Sequence, residues 1–287
     1  MTEKRTEKFA YVFLIGCLLL FSSKEVVSKP IMDNADPFFV AFFRVIVGGA
    51  VLLPFINRGK TRAFPVPGLK DLLSLLAIGS FNSVLSITLL QLAVAYSNAS
   101  TAATLVATSP IFVSLLAAVF LEEKPTVRKM TGTILGLVGI FLFSSVQLSG
   151  DSFLGVISGI GAAVSFAVYS VLLKKKVVKL GALACTAYSF FFSGILYGIV
   201  LALIGRLSLP NLDLKTWLLL IYLGAAVTGI GYYAFFESAK RIGAARTSRI
   251  LYMKPVVATI FALLFLGEGM EYGRVFGMAV IVFSMFL

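Results

Sequence analysis

Lys254 is the side chain whose type and position point most directly to chemistry. It lies within the apolar segment 244 to 268, AARTSRILYMKPVVATIFALLFLGE, next to Pro255. If this segment is a helix that begins after Gly243, Lys254 lies about 16 Å along it, because a helix rises about 1.5 Å per residue. That depth is close to the middle of a bilayer, where a lysine costs about 2.5 to 3.5 kcal/mol on insertion scales. A cation at this depth either binds an anionic ligand or forms an internal ion pair that fixes helix packing, and the residues leave both readings open.

The candidate partners of Lys254 are Glu25 and Glu237, two acidic residues in other apolar segments. Glu25 follows Lys24, so the two could form a buried pair, or Glu25 could carry protons, since the chain has no histidine for that task. Lys24 and Arg44 each lie about 9 Å from the end of their segments. Snorkelling of these long side chains to the membrane surface would explain both.

Arg249 and Arg246 precede Lys254, and helical spacing places all three on one broad face. Both arginines are nearer the cytoplasmic edge of the segment than Lys254 is. They therefore either anchor the helix on the cytoplasmic side or contact a substrate, and the sequence does not choose between the two.

Uncharged polar side chains form a second group within the apolar segments. A hydroxyl or amide in hydrocarbon needs a hydrogen-bond partner, so each side chain either bonds a neighbouring helix or lines a substrate cavity. The group consists of Asn82, Ser86, Gln91, Tyr169, Tyr232, Tyr233 and Tyr252.

Ten apolar segments must position these residues. With 59% hydrophobic and 13% charged residues, the chain belongs in a bilayer, and a spanning helix needs about 20 mostly apolar residues. We predict an all-α membrane protein with ten transmembrane helices. Their approximate bounds are 9 to 30, 37 to 57, 70 to 92, 97 to 121, 128 to 147, 153 to 174, 181 to 205, 214 to 236, 243 to 266 and 274 to 287. The last span is short, so we expect the native chain to continue past Leu287.

The two halves of the chain repeat each other with an offset of 145 residues. Pro110 matches Pro255, and Gly79 matches Gly224. Residues 1 to 150 and 151 to 287 are therefore predicted to be two copies of a five-helix unit, the second ending in the short last span. Each proline removes an amide donor from the middle of a span, so each is either a simple packing kink or a helix break that lines a cavity.

The distribution of Lys and Arg predicts the orientation of the helices. Of the 25 such residues, 18 fall in the N-terminal segment and in alternate connections, and four fall on the opposite side. Basic connections stay cytoplasmic, so both termini are predicted to be cytoplasmic. Because each copy has five spans, the second copy enters the membrane from the other side, and the repeats are inverted. The net charge of +12 is thus a topology signal rather than a sign of nucleic-acid binding.

The motifs of other function classes are missing from the sequence. It contains no histidine, no HExxH, no Gly-x-Ser-x-Gly and no Walker A segment. Cys17 and Cys185 lie inside apolar spans, where thiols behave as small hydrophobic groups. We therefore expect neither an enzyme nor a cofactor nor a metal site.

Four segments resemble the drug/metabolite transporter superfamily in its bacterial EamA-type branch. They are TSPIFVSLLAAVFLEE at 108 to 123, KPVVATIFALLFLGE at 254 to 268, FFRVIVGG at 42 to 49 and FAVYSVLLKK at 166 to 175. The resemblance implies a ten-helix carrier that moves small metabolites, often outward. It places Lys24, Asn82, Ser109, Tyr169, Tyr232 and Lys254 in a central cavity, and Arg44, Glu123 and Glu268 at structural positions.

Taken together, these features predict a secondary-active transporter in the cell membrane that works by alternating access. Three intramembrane cations against one or two acids favour small polar, anionic substrates such as amino or organic acids. An exporter of cationic or lipophilic compounds, and a membrane subunit that does not transport, are the alternatives. A proton or counter-substrate as a further partner, and the oligomeric state, are left open.

Overall fold

The computed structural model describes residues 3 to 56, 67 to 123, 127 to 144, 152 to 266, 276 to 277, 279 to 280 and 283 to 284. Within these ranges every regular element is helical. The α-helices are α1 (Glu3–Met32), α2 (Pro37–Leu52), α3 (Leu69–Ser80), α4 (Thr88–Tyr96), α5 (Ala99–Val106), α6 (Ser109–Phe120), α7 (Val127–Ser144), α8 (Phe153–Leu180), α9 (Ala182–Leu203), α10 (Leu214–Tyr222), α11 (Tyr232–Ile242), α12 (Ala244–Ser248) and α13 (Lys254–Leu266).

Among the described residues, eight helical stretches are long and apolar enough to cross a membrane. They are Phe9–Met32, Pro37–Phe55, Leu69–Tyr96, Thr101–Phe120, Phe153–Leu180, Ala182–Leu203, Leu214–Ile242 and Ala244–Phe265. The predicted fifth span contains the shorter apolar helix Met130–Gly139. Most of the predicted tenth span, together with Glu268, lies outside the described residues. The chain is a multi-pass helical membrane protein.

Several helices extend beyond their predicted ends. The third span continues to Tyr96, the sixth to Leu180 and the eighth to Ile242. A helix does not end where its apolar residues end, because its backbone hydrogen bonds continue into the interfacial region. Gly181 and Gly243 end α8 and α11 with φ of 85° and 88°, a conformation that favours glycine.

The fourth and ninth spans are interrupted at matched places. α5 ends at Val106 and α6 begins at Ser109, after a turn. In the ninth span a 3-10 segment, Arg249–Met253, separates α12 from α13. Pro110 and Pro255 are the second residues of α6 and α13, where the missing amide donor costs no helical hydrogen bond. Two half-helices therefore begin inside the fold.

The third and eighth spans each contain a π-helical segment, Phe81–Ile87 and Leu223–Gly231. A π-helix has one more residue in each hydrogen-bonded ring than an α-helix, and such segments are frequent at functional sites. Thr88 Oγ1 donates to Ser83 O at 3.0 Å, and Thr228 Oγ1 donates to Leu223 O at 2.7 Å. Each hydroxyl donates to the carbonyl five residues earlier, which is the same separation as in a π-helical backbone hydrogen bond.

Glycines let the helices around these segments approach closely. A Cβ on Gly79 would lie 2.2 Å from Ser189 O of α9, and one on Gly49 would lie 2.4 Å from Phe191 N. Side chains at either position would push α9 away. Helices α2, α3 and α9 therefore form one closely packed group against which the π-helical segments lie.

Candidate functional site

A cluster of charged side chains lies where α1 meets the beginning of α13. Lys254 Nζ donates a hydrogen bond to Glu25 Oε1, and Lys24 Nζ lies 3.6 Å from the same oxygen. All three residues are buried. Glu237, the other candidate partner of Lys254, accepts instead from Arg241 at 2.6 Å. The structure thus brings two ammonium groups to one carboxylate oxygen, and we call Lys24, Glu25 and Lys254 the lysine cluster.

Arg44 of α2 is completely buried beside this cluster. Its Nη1 donates to Gln91 Oε1 at 2.8 Å, and its Nε donates to Thr228 Oγ1 at 3.1 Å. Lys24 is close enough to interact electrostatically with Arg44. The snorkelling expected for Lys24 and Arg44 is therefore wrong, because both side chains point into the protein interior.

The predicted tyrosines of the sixth and eighth spans pack together. The rings of Tyr169 and Tyr232 lie 6.1 Å apart, and Phe190 lies 5.0 Å from Tyr232. Tyr232 lies near Arg44 and near the side chain of Asn82, whose two polar atoms make no hydrogen bond to a described residue. Tyr232 is thereby placed beside Arg44, while Tyr169 lies one ring farther away.

Two predicted serines lie on the interrupted helices. Ser109 is the first residue of α6, and its buried hydroxyl has no hydrogen-bond partner among the described residues. Ser86, in the π-helical segment of the third span, donates to Ala162 O of α8 at 3.4 Å. Ser109 is available to a ligand, whereas Ser86 joins two helices.

Arg249 and Tyr252 lie elsewhere. Arg249 lines a pocket of about 260 Å³ between α6 and α7, whose other walls are mostly apolar. The ring of Tyr252 faces Gly136 of α7. A Cβ added to Gly136 would lie 3.0 Å from this ring. Arg249 precedes Lys254 by five residues, which separates the two by about 140° around an α-helix and by about 120° around a 3-10 helix. The two side chains therefore lie on different faces with either winding, unlike the shared face expected from the sequence.

Thr228 is the contact of this site that sequence reasoning missed. It holds the Arg44 guanidinium from the π-helical segment of the eighth span. With the offset of 145, Thr228 matches Ser83, which is also a buried hydroxyl. The presence of a hydroxyl at this position in both halves of the chain was the signal that could have identified Thr228.

Glu123 joins the two halves of the chain at a second place. Its carboxylate accepts from Lys174 Nζ at 2.6 Å, from Ala244 N at 2.9 Å and from Ala245 N at 3.1 Å. Partial burial acts to raise the pKa of this carboxyl, but the hydrogen bonds from Lys174 and the two amides outweigh burial and hold the pKa below its ordinary value. Glu123 is therefore an ionised bridge from the end of α6 to α8 and the start of α12.

Comparisons with known proteins agree on a transporter fold. The model of the EamA-like transporter family matches residues 8–145 and again residues 153–287. An uncharacterized transporter of Clostridium kluyveri is 29% identical over 96% of this chain and 91% of its own. An S-adenosylmethionine uptake transporter of Rickettsia bellii is 28% identical over 94% of this chain and 89% of its own. A solved crystal structure with 18% identity superposes with a TM-score of 0.75 over 96% of this chain and 94% of its own, which shows a shared fold.

Proposed function

Because the chain belongs to the EamA-like transporter family, we propose that it is a secondary-active transporter of small polar metabolites that carry negative charge, such as amino or organic acids. The observation that carries this proposal is the lysine cluster, in which Lys24 and Lys254 share one oxygen of Glu25. A single carboxylate balances only one of the two ammonium groups. An anionic group of a substrate would balance the other.

The start of α13 supports an anion at the same place. α13 begins at Lys254, within the fold. The N-terminus of a helix carries partial positive charge, and transporters use such half-helix ends to hold anionic groups of substrates. The helix end and the lysine cluster thus favour the same sign of charge.

We propose that transport proceeds by alternating access between two inverted five-helix repeats in the cell membrane, with both termini in the cytoplasm. The matched interruptions of the fourth and ninth spans and the matched π-helical segments support a duplicated unit. The proposed direction is export. The Rickettsia bellii relative is named as an uptake transporter, so the assay has to measure flux both ways.

Proteoliposomes test the proposal directly. We expect purified protein to move radiolabelled amino or organic acids down a gradient in either direction, and Lys254→Gln to reduce this flux at least about tenfold, since hydrogen bonds to charged groups contribute about 1.5 to 3 kcal/mol. Lys215→Gln is the matched control, because Lys215 is exposed. Undiminished anion flux in Lys254→Gln would rule out the proposed site, and the absence of any flux in wild type would favour a subunit that does not transport.

Export of lipophilic or cationic compounds is a second candidate, favoured by the pocket between α6 and α7. Its walls include Ile111, Leu115 and Ile134, and Leu115 and Ile134 are exposed on the outer surface of the helices. Such a pocket suits an apolar compound arriving from the bilayer. Resistance profiling separates the two, because only this candidate predicts that expression protects cells from toxic lipophilic cations.

A further inference from the structure

The charges around the lysine cluster do not balance even after Glu25 is counted. Lys24, Lys254 and Arg44 interact with one another or with Glu25, and Glu25 is the one carboxylate among these mutually interacting described residues. With all three side chains protonated, three cations against one carboxylate leave an excess of two positive charges. Both hydrogen-bond partners of Arg44 are neutral, an amide and a hydroxyl.

An excess of this kind is costly inside a membrane protein. Transferring a cation out of water is repaid only if an anion or several well-placed hydrogen bonds replace the water. Neutral groups provide part of this for Arg44, whose Nη2 still has no partner among the described residues. The site as it stands is therefore short of negative charge.

Further unpartnered groups lie on the face of α1 that carries Glu25. Ser22 and Ser28 are three residues before and after Glu25, a spacing that places all three on one side of a helix. Both hydroxyls are completely buried, and neither has a partner among the residues that the structure describes. Buried hydroxyls normally find partners, so these groups indicate polar atoms that a ligand would supply.

We propose that the substrate is a small dianion, namely a dicarboxylate or a phosphate monoester, with its charge shared between the lysine cluster and Arg44. This inference rests on the proposed transport function and sharpens it from an anionic substrate to one with two negative charges. Glu25 remains in place to hold the two lysines. If one of the two lysines were deprotonated, the excess would be one positive charge, and a monoanion would balance it.

Ligand binding to the wild-type protein distinguishes a dianionic from a monoanionic substrate. Succinate and its monoamide, succinamate, have similar size and differ by one charge. Glycerol 3-phosphate and its methyl phosphodiester form a second pair that also differs by one charge. We expect the dianion of each pair to act at concentrations at least about tenfold lower than its monoanionic partner, since one lost charge-assisted contact weakens binding by about ten- to a hundredfold. Two assays measure this difference: stabilisation of the purified protein against heat, and inhibition or stimulation of flux in proteoliposomes.

Lys24→Gln provides the matched test of charge. This variant lowers the excess of positive charge to one. We therefore expect it to lose the preference for the dianion while it still binds succinamate. The control Lys215→Gln should retain the wild-type preference. Equal affinity for both members of each pair in wild type, with flux lost in Lys254→Gln, would overturn the dianion inference and leave the proposed function intact. Absence of binding and flux for every anion would overturn both, and an unchanged preference in folded Lys24→Gln would overturn the dianion inference alone.

Discussion

Replacing Glu123 with glutamine removes the charge of the bridge between the two halves and keeps its shape. The carboxylate accepts three hydrogen bonds, one from Lys174 and two from backbone amides. Glutamine keeps one acceptor oxygen but places an NH2 donor where the second oxygen accepts from Ala245. Hydrogen bonds to charged groups contribute about 1.5 to 3 kcal/mol each. We therefore expect Glu123→Gln to lower the free energy of unfolding by about that amount at neutral pH.

The pH dependence of this loss tests whether Glu123 is ionised in the folded protein. The pKa of Glu123 lies below its ordinary value in the folded protein. A carboxyl of this kind contributes stability above its ordinary pKa of about 4.3 and loses that contribution as pH falls through the folded pKa. The difference between wild type and Glu123→Gln should thus be largest near neutral pH and should shrink as the pH falls below about 4.

Unfolding by sodium dodecyl sulfate in mixed micelles, followed by circular dichroism across this pH range, measures the difference. Glu122→Gln is the matched control, because the neighbouring Glu122 is exposed and carries the same charge. We expect the control to differ little from wild type. A loss in Glu123→Gln that is the same at every pH, or one that Glu122→Gln reproduces, would refute the ionised bridge.

Three further substitutions test the packing and the arginine site. Gly79→Ala should destabilise the protein by about 1 to 3 kcal/mol, because its Cβ would lie 2.2 Å from Ser189 O, and the same micelle titration measures this. Gly16→Ala, with no atom within 4 Å of its Cβ, should be neutral or stabilising by up to about 1 kcal/mol; a similar loss at both glycines would contradict the packing argument. Arg44→Lys keeps the charge but replaces two separate donor nitrogens, one for Gln91 and one for Thr228, with a single nitrogen, so we expect weaker substrate binding in the thermal-shift assay. Unchanged binding would show that the guanidinium fork is not needed.

Much of the helical organisation could be predicted from hydropathy and the internal repeat. The predicted spans and the observed helices agree along most of the described chain, with differences at ends such as Tyr96 and Ile242. The π-helical segments could not be predicted, because their winding depends on packing against other helices and on hydrogen bonds such as Thr228 to Leu223. Periodicity within one segment carries no information about those neighbours.

The site was predictable in type but not in detail. The depth of Lys254 and the presence of Glu25 were enough to suggest their pairing. The depth of Arg44 along its helix did not reveal which side of that helix it occupies, and the interior side is the one that contacts Gln91. Arg249 was grouped with Lys254 on one broad face, but five residues turn an α-helix by about 140° beyond one full turn, so the spacing itself separates the two side chains.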